Sequence, residues 1–93
     1  MNNLTLVDLF LNEYWIEKGL SENTVQSYRL DLTALCDWLD KQNLSLETLE
    51  PLDLQQFLGS RLEQGYKATS TARMLSAMRK LFQYLYREKY RTD

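Results

Sequence analysis

The chain has 93 residues, 44% of them hydrophobic, with 11 basic and 13 acidic side chains and a formal net charge of −2. That size supports one domain around a single core, with a modest stability margin. Histidine is absent and Cys36 is the sole cysteine, which excludes an internal disulfide, a Cys/His zinc cluster and any catalytic set built on an imidazole.

Glycine and proline are rare, no β-type alternation persists, and the pattern is helical throughout. The first predicted helix runs from about Leu6 to Lys18, with Thr5 as N-cap and Gly19 as its stop. Its apolar residues, Val7 to Ile16, cover more than one stripe. Such a helix is packed on two sides or left partly open for a partner. The second opens at Ser21, an N-cap, and repeats Val25, Tyr28, Leu32, Leu35, Cys36 and Leu39 at helical spacing as its buried face. Trp15 and Trp38 read as core or core margin; Trp38, which lies off that stripe, is the better of the two as an anchor for a partner. Asn43 and Ser45 mark a turn. The third helix begins near Pro51, whose missing N–H suits the first helical position. It turns Leu54, Phe57, Leu58, Arg61 and Leu62 inward and ends at Gly65. The fourth starts after "KATS", with Thr69 or Ser70 as cap, and runs to about Lys89. These elements predict an all-α fold, a compact four-helix bundle.

Charge is unevenly placed. Residues 1–60 hold three basic and ten acidic side chains, a balance of −7; residues 61–93 hold eight basic and three acidic, a balance of +5. On a wheel turning about 100° per residue, Lys80 and Arg87 return to within about 40° of Arg73. Ala77 and Tyr84 share that sector, while Met74, Leu75, Met78, Leu81, Phe82 and Leu85 fill the opposite side. Glu88 is the one acid between Glu63 and Asp93, so the usual i,i+4 pairing of a solvated helix face is missing. Lys67, Thr69 and Ser70 add free N–H groups and hydroxyls at the positive end of the helix, where a phosphate is favoured. A cationic helix of this kind fits the major groove of duplex DNA, with phosphates on either side and Arg73 or Ala77 at base edges.

"LSENTVQSYRLDL" (residues 20–32) and "GYKATSTARMLSAMRKLFQYLYREKY" (residues 65–90) resemble the N-terminal core-binding domain of tyrosine site-specific recombinases, most closely the Xer group. The resemblance spans nearly the whole chain. It implies a SAM-like four-helix module that clamps a recombination half-site, with the second and fourth helices at the major groove. Asn23 and Thr24 then match helix-start positions near the backbone, and Arg29 a basic position turned to DNA. Lys67, Thr69, Ser70, Arg73 and Lys80 match the groove-facing helix, to which the wheel adds Ala77 and Arg87. Tyr28 belongs to the motif but falls on the buried face and reads as structural. Leu30 departs from the pattern, because Xer-type sequences carry a second basic residue there.

The resemblance also implies that the catalytic tyrosine and its helpers belong to a separate C-terminal domain not present in residues 1–93, which then form one DNA-binding domain without catalytic residues. The expected partners are a double-stranded DNA recombination site and, in the full-length protein, partner recombinase subunits; the isolated domain is expected to be monomeric. No cofactor and no metal are expected. No secretory leader is expected, because the chain lacks a basic start and long apolar run. No apolar stretch approaches the roughly 20 residues that span a bilayer, and a cytoplasmic location is expected. A phage-type integrase domain and a helical protein-interaction adaptor are the alternatives.

Overall fold

The computed structural model describes residues 1–92 as four helices: α1 (Asn3–Lys18), α2 (Glu22–Lys41), α3 (Pro51–Glu63) and α4 (Ala68–Arg87). The described residues contain no strand, and the chain measures 35 × 29 × 19 Å along its principal axes. No helix among them is long and apolar enough to cross a membrane.

Local chemistry sets most boundaries. Ser21 caps α2: its Oγ accepts the Thr24 N–H at 3.3 Å, one of the donors a helix start leaves unpaired. Gly19 ends α1 at φ +59°, donating its N–H to the Trp15 carbonyl at 3.1 Å; glycine adopts that left-handed conformation without a Cβ clash. Pro51 occupies the first turn of α3, and the Asp53 carboxylate accepts the Glu50 N–H at 2.8 Å. Other boundaries differ from expectation. Asn2, not Thr5, caps α1; its Oδ1 accepts the Thr5 N–H at 2.8 Å, so Thr5 is the recipient of the cap. Lys67 precedes α4 as its N-cap and makes no side-chain capping bond, so neither Thr69 nor Ser70 holds that position, and the helix closes at Arg87.

The core joins Leu6, Val7, Phe10 and Leu11 of α1 to Leu32, Leu35, Cys36 and Leu39 of α2. Leu46 and Leu49 of the α2–α3 connection, Phe57 of α3 and Met74, Ala77, Met78, Leu81, Tyr84 and Leu85 of α4 complete it. Both α1 and α2 pack on α4, and α3 packs on α4 from its own side. Burial of the Val, Leu, Phe and Met side chains in the core contributes about 1.5–3 kcal/mol each relative to exposure. Leu62 is 57% exposed and is not part of the inner face of α3. α1 keeps Leu4, Leu9, Trp15 and Ile16 in solvent, which explains its lack of a single stripe. Trp38 packs against the core with its ring 5.5 Å from that of Phe57, and Trp15 is the exposed tryptophan.

Both ends of the chain clasp the connection between α2 and α3. Asn3 is buried, and its amide donates to Asp40 Oδ1 and to the Leu44 carbonyl, both at 3.0 Å, while its Oδ1 accepts the Leu46 N–H at 2.8 Å. Arg91 is buried as well and donates to the Leu46 carbonyl at 2.8 Å.

Candidate nucleic-acid interface

The row Arg73, Lys80, Arg87 lies on the seam where α4 meets α1 and α2, not on the centre of its solvent face. Ala77 is 0% exposed and Tyr84 is buried, so the sector holding them points into the bundle. Ala77 therefore has no surface to offer a base edge. The solvent side of α4 is centred near Ala72, Arg79 and Gln83, all exposed. That is about 80–120° around the helix from Arg73 at 100° per residue. The wheel separates apolar from charged residues, but a short alanine and a phenol within the charged sector belong to the core.

At the seam, the acids absent from α4 come from its neighbours. The Arg73 guanidinium makes a two-pronged contact with Asp31 of α2, Nε to Oδ2 at 2.8 Å and Nη2 to Oδ1 at 2.9 Å. Asp31 is 5% exposed, whereas the Arg73 side chain is 52% exposed. The hydrogen bonds to Asp31, reinforced by its charge, raise the Arg73 pKa above its ordinary value. This planar fork geometry is the strong form of a carboxylate pair. Arg87 lies 3.0 Å from Glu13 and 3.4 Å from Glu17 of α1, and 3.8 Å from Glu88. Arg29 pairs with Asp8 of α1. Thus three of the predicted contact residues already have carboxylate partners inside the domain.

Other predicted residues remain available. Lys80 is half-buried, donates to Ser76 Oγ at 2.9 Å and lies 5.8 Å from the centroid of Tyr28, with no ion pair among the described residues. Lys67 and Thr69 are exposed at the start of α4, with Ser70 half-buried beside them. The first N–H groups of α4 have no side-chain cap, so they and the helix dipole present a positive end. Asn23 is exposed in the first turn of α2, and the Thr24 hydroxyl lies 3.0 Å from Ser21 Oγ. Arg79 was missed as a candidate. It is exposed at the centre of the solvent face and makes no ion pair among the described residues; its distance from the Arg73 row on the wheel was the available signal.

The family model for the phage integrase N-terminal SAM-like domain matches residues 7–89. The chain belongs to this family. The match covers α2, α3 and α4 in full, α1 from Val7 onward, the first quoted motif and all of the second but Tyr90. The chain is 87% identical over 93 residues to the tyrosine recombinase XerD of Haemophilus influenzae, and 73% identical over 93 residues to that of Pasteurella multocida. It is 60% identical over 88 residues to the tyrosine recombinase XerD of Yersinia pestis. All of this chain is covered in the first two comparisons and 95% in the third. The chain spans 31%, 31% and 29% of the lengths of these relatives.

Proposed function

We propose that this SAM-like domain binds duplex DNA as the N-terminal clamp of a XerD-like tyrosine recombinase acting on a recombination half-site, as in chromosome dimer resolution. The family match across residues 7–89, with relatives named as tyrosine recombinases, carries this reading. In it, catalysis belongs to a separate C-terminal domain and none of residues 1–92 is a nucleophile. Partner recombinase subunits complete the assembly, and a chromosomal substrate places the protein in the cytoplasm.

The contact set combines Asn23 and Thr24 at the start of α2 with Lys67, Thr69 and Ser70 at the start of α4. Lys80 adds a charge that has no carboxylate partner among the described residues. The start of α4 suits a phosphate because its first N–H groups have no side-chain cap and its dipole end is positive, whereas at the start of α2 Ser21 already accepts the Thr24 N–H. Arg73 enters as a guanidinium held by Asp31, so it meets the duplex in a fixed orientation and with part of its charge offset. Arg29 and Arg87 contribute less, because Asp8, Glu13 and Glu17 already oppose them.

Fluorescence anisotropy with a labelled duplex, at a series of salt concentrations, tests this. Binding is expected at low salt, with log K falling against log salt by about 0.9 for each phosphate neutralised. Lys67→Gln and Lys80→Gln each reduce that slope by about one unit and weaken all sequences alike. Absence of binding at low salt, or a slope unchanged by both substitutions, rejects the reading.

The exposed Leu4, Leu9, Trp15 and Ile16 favour a second role for α1 as a protein-interaction surface. Sedimentation over a concentration range, with and without DNA, separates the two: an adaptor associates without DNA, and Ile16→Glu abolishes that association.

A further inference from the structure

Arg61 on α3 is 7% exposed and has no hydrogen bond or ion pair among the described residues. Its Nε is sealed from solvent without a partner. Its guanidinium carbon lies 4.1 Å from the centroid of Tyr66 and 6.0 Å from that of Phe57. A guanidinium stays charged in a protein, and taking a charge out of water without an opposing charge is strongly unfavourable. Aromatic faces offset part of this, but they cannot accept hydrogen bonds as an anion does.

The surroundings supply the rest of a site. Arg61 lines a cleft of about 200 Å³ between the C-terminal halves of α2 and α3, together with Lys41, Asp37, Trp38, Ser60 and Gln64. Lys41 makes no ion pair among the described residues. Ser60 Oγ accepts from the Gln64 amide at 3.2 Å, which leaves the hydroxyl proton free to donate. Arg61 and Lys41 against Asp37 give the lining a net charge of +1. We propose that this cleft binds a phosphate-type oxyanion, with Arg61 as its principal ligand and Lys41 and Ser60 as further donors. Donors arriving from two helices suit a tetrahedral group. The volume lies below the roughly 300 Å³ at which pockets begin to take drug-sized ligands, so the cleft accommodates the oxyanion and not a nucleoside. Inorganic phosphate is one source of that group. The backbone of a nucleic acid is the other, since Tyr66 of the cleft directly precedes Lys67 at the start of α4.

NMR titration of the 93-residue chain tests the proposal, following the Arg61 Nε–H and Trp38 Nε1–H signals. Inorganic phosphate is added against sodium chloride at matched ionic strength. Both signals are expected to shift saturably with phosphate and not with chloride. Arg61→Met abolishes the response, and Asp37→Asn, at an exposed position, tightens apparent affinity several-fold by removing the opposing charge. Should Arg61→Met fail to fold, the wild-type signals and Asp37→Asn decide. The proposal is overturned by the absence of a phosphate-specific shift, by an undiminished response in Arg61→Met, or by unchanged affinity in Asp37→Asn. A duplex-DNA arm identifies the source: shifts of the same two signals assign the cleft to backbone phosphate, and shifts with phosphate alone assign it to the free ion. This readout does not depend on the duplex reading, since phosphate alone decides the site and the anisotropy series decides the clamp.

Discussion

Arg73, at the seam between α2 and α4, and Arg61, in the cleft between α2 and α3, show two treatments of a guanidinium within one small bundle. At the seam, the charge is half in water and meets a buried carboxylate through two hydrogen bonds of 2.8 and 2.9 Å. In the cleft, the Arg61 side chain is buried, its Nε is sealed without a partner, and the guanidinium lies against the rings of Tyr66 and Phe57 with no ion pair among the described residues. The first arrangement is electrostatically complete; the second lacks an anion. The difference shows that net charge per segment says little about which cations are available. The positively charged C-terminal third of the chain spends Arg73 and Arg87 on acids from the negatively charged part, and leaves others uncompensated.

The most severe break in both regions is Leu35→Ala, which opens a cavity beneath α2 at a fully buried position. It is expected to lower the unfolding free energy by about 2–5 kcal/mol in urea titration. Arg73→Ala comes next. It strands the Asp31 carboxylate without its partner, for an expected loss of about 1–3 kcal/mol, toward the lower end because water reaches the Arg73 side of the pair. Arg61→Met is expected to show the opposite behaviour in chloride buffer: unchanged or raised stability, since an apolar side chain of similar length removes an unpaired buried charge. A fall in stability equal to that of Arg73→Ala would erase the contrast between seam and cleft.

Alkaline pH sharpens the comparison by titrating groups outside both the Arg73–Asp31 pair and the Arg61 cleft. Burial, with smaller contributions from Asp40, Asp37 and Asp8, pushes the Cys36 thiol up from 9.0 to about 12. The unfolded chain therefore releases this proton before the folded one, and stability falls as pH rises from about 9 to 12. The slope from one such group approaches about 1.4 kcal/mol per pH unit at most. Burial raises the Tyr84 hydroxyl pKa too, so it adds loss in the same direction. Cys36→Ala is expected to flatten the profile, measured by urea unfolding at successive pH values. The smallest expected effect is on DNA binding by Arg87→Gln, which should alter the salt slope less than Lys67→Gln, because Glu13 and Glu17 already oppose that cation.

Much of the architecture could be read from local signals. Ser21, Gly19 and Pro51 act through their immediate neighbours, and α2 and α3 were placed close to their observed bounds on those grounds. The start of α4 was less legible because Lys67 precedes the helix without a capping bond, so the hydroxyls of Thr69 and Ser70 drew the boundary inward. The charged row on α4 was legible as a row, but not in its surroundings. Asp31, Glu13 and Glu17 lie at least 42 residues away from their arginine partners along the chain, and no single-helix wheel contains them. Ala77 failed for a related reason: methyl groups fit either side of an amphipathic boundary, and packing by neighbouring helices decides which side is taken. Arg61 was expected to face inward, and it does; that it would do so without a carboxylate depends on where α2 comes to rest.

The paired grip on Leu46 sets a path for mechanical load. Asn3 holds its amide and Arg91 its carbonyl, so the start of α1 and the segment after α4 are fastened through one peptide segment. A pull on Arg91 therefore loads Leu46 and, through it, Asn3 in the first turn of α1.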